Sequence, residues 1–189
     1  MSSVRYVPMI SDREKLKKLL KENSILRGKF TLSSGKESDY YIDARLTTLH
    51  PEGLYLVGKI FLEDIVKSPE IKAVGGPTMG ADPIVGSILA LSIQKGHPLL
   101  GFIVRKGEKD HGTGKLIEGN LKSGHSVAIV EDVMTTGRSI FWAIDAVEKS
   151  GALVKKVLVI VDREEGGKET IEQKGYEFFS IFQVGEFLE

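Results

Sequence analysis

Cysteine is missing from all 189 residues, so the chain can carry no disulfide, no thiol nucleophile and no cysteine-ligated zinc or iron–sulfur cluster. Net charge is missing too, because 26 Lys plus Arg are balanced by 26 Asp plus Glu. With no basic field over the whole chain, neither nucleic acid nor an anionic membrane is an expected partner, and an anionic ligand has to be gripped by a local cluster. The four histidines, His50, His97, His111 and His125, fall in no H-x-x-x-H or comparable ligand spacing, so no protein-held transition metal is expected. No apolar run approaches the roughly 18 residues that a membrane span needs, and MSSVRYVPMISDREKLKK holds no apolar signal core. The expected location is therefore the cytoplasm. There is no G-x-x-x-x-G-K-[ST] phosphate loop and no G-x-G-x-x-G dinucleotide fingerprint.

The letters that are present describe an α/β protein. Apolar residues make up 41%, enough to bury a core, and no linker marks a second domain, so one domain is expected over 1–189. Ser11-Asp12-Arg13-Glu14 reads as a capping box ahead of a helix with Leu16, Leu19 and Leu20 on one stripe. Strand-like stretches around 30–32 and 40–42 flank a Ser/Gly turn, the pattern of a hairpin within about 25–45. A helix is expected from Pro51, with Leu54, Val57, Phe61, Leu62 and Ile65 on one face. Apolar strands then alternate with helices: 71–74, 99–104, 126–130, 154–161 and a shorter one at 176–181. Short apolar strands separated by helices indicate a parallel sheet covered on both faces, with the hairpin as a small cap beside it.

In such sheets ligands bind beyond the carboxyl ends of the strands, and three loops there are chemically loaded. Val127-Ala128-Ile129-Val130 runs into Glu131-Asp132-Val133-Met134-Thr135-Thr136-Gly137-Arg138-Ser139. Two adjacent carboxylates at the end of a buried strand are costly unless a cation or hydroxyls meet them. The Thr-Thr-Gly-Arg-Ser that follows opens a helix, whose free N–H groups form an anion site. A sugar phosphate fits the pair of features, although an acidic turn with a Thr cap fits the same letters. Arg105, Lys106, Lys109 and His111 fall within seven residues among glycines, which suits either a solvated loop or one that closes over a pyrophosphate. Gly75-Gly76-Pro77-Thr78-Met79-Gly80 reads as a strand–helix turn whose backbone could approach a phosphate closely.

The stretch from Val127 to Ser139 resembles the phosphoribosyl-pyrophosphate (PRPP) signature of type I phosphoribosyltransferases. Arg105-Lys106-x-x-Lys109-x-His111-Gly112 resembles the catalytic loop of the orotate branch, and FTLSSGKESDYYID resembles that branch's hood over the base. The Gly75–Ala81 stretch resembles the family's pyrophosphate loop, which often holds a non-proline cis peptide. The likeness runs from about Gly28 to Arg163. It implies the type I phosphoribosyltransferase fold and a pentosyltransferase that moves ribose 5-phosphate from PRPP to orotate, giving orotidine 5′-monophosphate and pyrophosphate in pyrimidine nucleotide synthesis. It implies that Glu131 and Asp132 hold the ribose 2′- and 3′-hydroxyls and that Thr135, Thr136, Gly137, Arg138 and Ser139 hold the 5′-phosphate, with Val133 and Met134 inside the same PRPP-binding run. Arg105, Lys106, Lys109 and His111 join that PRPP set, with Lys106, Lys109 and His111 catalytic. Tyr41, Ile42, Thr135 and Arg163 are implied to bind orotate, Arg163 by its carboxylate, although Arg163 could equally pair with Glu164 or Glu165. The implied cofactor is Mg²⁺, bound mainly through PRPP, and the implied assembly is a homodimer in which Lys106 serves the neighbouring subunit's site. Ser33 and Met79 stand where many members have PRPP-binding lysines. A purine phosphoribosyltransferase, a non-catalytic PRPP sensor and a nucleotide-binding structural subunit, which leaves the basic loop unexplained, are the rival readings. The hood and Arg163 argue against the first. Against the second, one short helix before the hood is little for a DNA-binding element.

Overall fold

The computed structural model describes residues 10–31, 37–105, 107 and 116–188. The first helix, α1 (Asp12–Asn23), opens on the capping box: the Ser11 hydroxyl accepts from the Glu14 N–H, and the Glu14 carboxylate accepts from the Ser11 N–H. Its apolar stripe buries Leu16 and Leu20 completely. A hairpin follows, β1 (Ile25–Thr31) antiparallel to β2 (Glu37–Ile42), with Ile25 opposite Ile42, and it forms a two-stranded sheet of its own. A single turn, α2 (Arg45–Thr48), leads into α3 (Pro51–Ile65), where proline occupies the first turn and Val57, Phe61 and Ile65 are fully buried.

The alternating part of the chain builds β3 (Ile71–Pro77), α4 (Ala81–Gln94), β4 (Leu100–Val104), β5 (Ile117–Gly119), β6 (Ser126–Met134), α5 (Arg138–Lys149), β7 (Leu153–Asp162), α6 (Gly167–Gln173) and β8 (Glu177–Gln183). The six-stranded sheet has the order β5-β4-β3-β6-β7-β8, parallel except for β5, which runs antiparallel along the edge of β4. Alternation along β6 sorts the core. Ala128 and Val130 face a cluster with α1, α3 and α4, whereas Val127 and Ile129 face one with α5 and α6. Both faces are thus covered, as wholly apolar strands require. Among the described residues, no helix is long and apolar enough to cross a membrane.

Two strands run further than their apolar letters indicate. β3 continues through Gly75 and Gly76 to Pro77, so the glycine pair belongs to the strand rather than to the turn, which is only Thr78–Gly80. A Cβ on Gly75 would strike the Phe102 carbonyl and ring, and one on Gly76 the Val130 carbonyl. These glycines serve close packing inside the sheet. Likewise β6 continues past Val130 to Met134, because its ladder with β7 holds as far as Met134 opposite Asp162. The short edge strand β5, inside a stretch read as polar loop, had no apolar alternation to announce it.

Candidate active site

The carboxyl ends of β3, β6 and β7 and the hairpin enclose a cavity of about 460 Å³. Glu131, Asp132, Val133, Thr135 and Ser139 line it from β6 and the start of α5. Tyr41, Ile42 and Thr31 contribute from the hairpin, Thr78, Met79 and Gly80 from the turn after β3, and Arg163 from the end of β7. Asp43 and Arg45, between the hairpin and α2, complete the wall.

Glu131 and Asp132 are the last polar residues of a buried strand, not members of a loop beyond it. The Ser139 hydroxyl, in the first turn of α5, donates to Glu131 Oε2 at 3.0 Å, and the Val133 N–H donates to Asp132 Oδ1 at 2.7 Å. Burial pushes the Glu131 carboxyl well above the usual carboxylate range, and the charge of Asp132 adds to the rise. Burial also raises Asp132, against the opposing pull of the Val133 N–H and the Arg45 charge. Such a pair accepts hydroxyl donors readily, since each donated hydrogen bond stabilises the ionised form. Gly80 abuts both groups: a Cβ there would lie 2.6 Å from Asp132 Oδ1 and 2.6 Å from Glu131 Oε1. The preceding peptide, Thr78–Met79, is cis.

Beyond the acids the chain turns through Thr135 and Thr136 to Gly137, which caps α5 in the left-handed region (φ 78°). The first N–H groups of α5 therefore lack carbonyl partners within the helix. Thr135 and Ser139 reach the cavity; Thr136, Gly137 and Arg138 flank it without lining it. Met134 lies elsewhere, 1% exposed and packed in the core with α5, so only its backbone serves the site: its carbonyl accepts from the Arg163 N–H at 2.9 Å.

Arg163 forms the opposite end. Its guanidinium lies 4.8 Å from the centre of the Tyr40 ring, and Nη2 donates to the Tyr40 hydroxyl at 3.3 Å. Nε stands 3.2 Å from Glu165 Oε1, an ion pair whose N–H is not aimed at the oxygen. The pairing with Glu165 and the place in the cavity wall therefore coexist. Tyr41, whose ring centre is 5.7 Å from that of Phe30, and Ile42 add a flat apolar surface nearby.

Arg105 directly follows β4, outside this cavity, 3.6 Å from Glu118. Lys106, Lys109 and His111 lie outside the described residues, as does Ser33. Sequence reasoning missed Tyr40, Asp43 and Arg45; Asp43 and Arg45 follow Tyr41-Ile42 directly, and that adjacency was the available signal.

No protein-family model matches the chain. The orotate phosphoribosyltransferase of Aquifex aeolicus is 44% identical over 183 residues, spanning 95% of this chain and 100% of that protein. A crystal structure of Mycobacterium tuberculosis orotate phosphoribosyltransferase with Fe(III) dicitrate superposes with a TM-score of 0.83 at 38% identity, covering 95% of this chain and 100% of that one. The same enzyme in complex with PRPP gives a TM-score of 0.78 at 36% identity, covering 94% and 99%. With relatives this similar aligned over nearly its whole length, the chain belongs to the orotate phosphoribosyltransferase family and has the type I phosphoribosyltransferase fold.

Proposed function

We propose that the chain, as a single domain, transfers ribose 5-phosphate from PRPP to orotate, giving orotidine 5′-monophosphate and pyrophosphate. The observation that carries this reading is one cavity with three chemistries in line: hydroxyl-accepting carboxylates at Glu131 and Asp132, the α5 N-terminus beside Thr135 and Ser139, and Arg163 stacked on Tyr40. Ribose hydroxyls belong at the acids, the 5′-phosphate at Thr135–Ser139, and the base between Tyr41, Ile42 and Arg163, whose guanidinium takes the orotate carboxylate. Attack by the base nitrogen on ribose C1 passes through an oxocarbenium-like state as pyrophosphate leaves. No covalent nucleophile is required; the residues act by positioning. Lys109 and His111, with Arg105 and Lys106, meet the negative charge that develops on the leaving group.

The donor set in the cavity fits Mg²⁺, a hard cation that keeps waters and substrate oxygens and takes only one or two carboxylates, which Glu131 and Asp132 can offer. When bound, the ion neutralises charge on the diphosphate. We place the reaction in the cytoplasm and assign a homodimer in which Lys106 completes the neighbouring site. Exposed apolar Leu46 and Leu49, beside Met79 at the rim, support an interface there. A base panel tests the reaction: with PRPP and Mg²⁺ the protein should consume orotate and leave uracil, hypoxanthine and adenine untouched. Turnover of a purine in place of orotate would overturn the assignment.

A further inference from the structure

The charges in the cavity wall leave one cation without a role. Among the described residues that line it, the carboxylates are Asp43, Glu131 and Asp132, and the only Arg or Lys side chains are Arg45 and Arg163. Arg163 is engaged at the base end by Tyr40 and Glu165. PRPP carries a phosphate at one end of its ribose and a diphosphate at the other. With the ribose on Glu131 and Asp132, and the 5′-phosphate toward α5, the Thr78–Gly80 turn, whose Gly80 abuts both carboxylates, is the wall left for the C1 side. Arg45 stands on that side: it lines this cavity together with Met79, and the two also share an adjoining hollow with Leu46 and Leu49.

Its geometry suits a ligand. Arg45 Nε donates to Asp43 Oδ1 at 2.8 Å, Nη2 donates to Asp43 Oδ2 at 3.0 Å, and the Arg45 backbone N–H donates to the same carboxylate at 3.2 Å. This clamp fixes one edge of the guanidinium. A guanidinium has five N–H donors, so three remain beyond the two given to Asp43. Arg45 is itself part of the cavity wall, so those donors can be reached from inside the cavity. Arg45 also lies close enough to Asp132 for their charges to interact.

We propose that Arg45, held by Asp43, binds the diphosphate of PRPP and, in the reverse direction, free pyrophosphate. This rests on the reading of the cavity as a PRPP site. A planar fork with an anchored edge suits phosphate oxygens better than a mobile point charge does.

Kinetics in both directions, on the full chain with Mg²⁺, test it. Arg45→Gln should raise the KM for PRPP and for pyrophosphate by about ten-fold, leaving those for orotate and orotidine 5′-monophosphate within about two-fold. Because the substitution also leaves Asp43 unpaired, the double variant Asp43→Asn/Arg45→Gln is needed; it should keep the loss. Arg45→Lys should recover only part of it. A double variant with wild-type KM for PRPP would show that Arg45 merely neutralises Asp43, and an equal rise for orotate would make it a support for the hairpin. Calorimetric titration with PRPP separates the two levels of failure. Wild type that binds no PRPP refutes the reading of the site, whereas equal binding by wild type and Arg45→Gln refutes the role of Arg45 alone.

Discussion

Under the proposed function, Arg163 concentrates the choice of base in one side chain. Buried, stacked on Tyr40 and beside Glu165, it presents a fixed guanidinium to whatever enters between it and Tyr41. Arg163→Ala should raise the orotate KM by roughly 10- to 150-fold, the equivalent of about 1.5–3 kcal/mol for a charge-assisted pair, and spare the PRPP KM. Equal effects on both substrates in steady-state kinetics would remove Arg163 from the base end. Glu131 makes a different trade. Its carboxyl is raised by burial, so as pH climbs past the ordinary carboxylate value of 4.5 the unfolded chain ionises before the folded one does. Wild type therefore loses stability through that window, and Glu131→Gln does not. Melting curves should show the variant's advantage growing from pH 4.5 upward, by about 2–4 °C for each kcal/mol gained. PRPP binding by the same variant should weaken, because an amide presents one acceptor where the carboxylate presents two. A melting difference independent of pH would show that the folded Glu131 ionises like an exposed one. At this scale the sequence was legible where residues sit in one short run, as Glu131, Asp132 and Ser139 do. Met134 belongs to the same run, yet its side chain packs in the core with α5. Tyr40 and Arg45 acquire their roles through space, which spacing alone does not reveal.

At the scale of elements, the site depends on how far two strands extend. β6 carries its acids to the carboxyl end of the sheet because β7 pairs with it as far as Met134, and β3 brings the Thr78–Gly80 turn against them. The apolar runs showed that these strands exist but not where they end, because a ladder can continue through glycines and carboxylates when its neighbour does. Gly80 marks the closest approach of the two elements. Its φ of −62° suits any residue, so alanine there brings no backbone strain, only a methyl group against Asp132 and Glu131. Gly80→Ala should raise the PRPP KM roughly ten-fold or more with the melting temperature little changed. An unchanged PRPP KM would mean that the carboxylates can move aside without consequence. Met79, within this turn, lines the cavity together with Arg45.

The molecule as a whole follows the alternation of strand and helix, which the sequence displayed openly; the edge strand β5 and the one-turn helix α2 were too short to register. The homodimer can be tested with Lys106→Ala and Asp132→Ala, refolded together. If Lys106 serves its neighbour, each hybrid has one intact site, and random mixing should restore about a quarter of wild-type activity. No recovery, with hybrids confirmed by native mass spectrometry, would place Lys106 in its own subunit's site. A second hollow, about 560 Å³ between β5 and α5 and lined by Leu116, Ile117 and Leu121, offers a ligand an alternative at the other side of the sheet. The electron density of crystals grown with orotidine 5′-monophosphate distinguishes the two. The base carboxylate should lie on Arg163, the ribose hydroxyls on Glu131 and Asp132, and the phosphate at the start of α5. Nucleotide in the hollow beside β5, or in the expected cavity with its phosphate on Arg163, would contradict this assignment of the site.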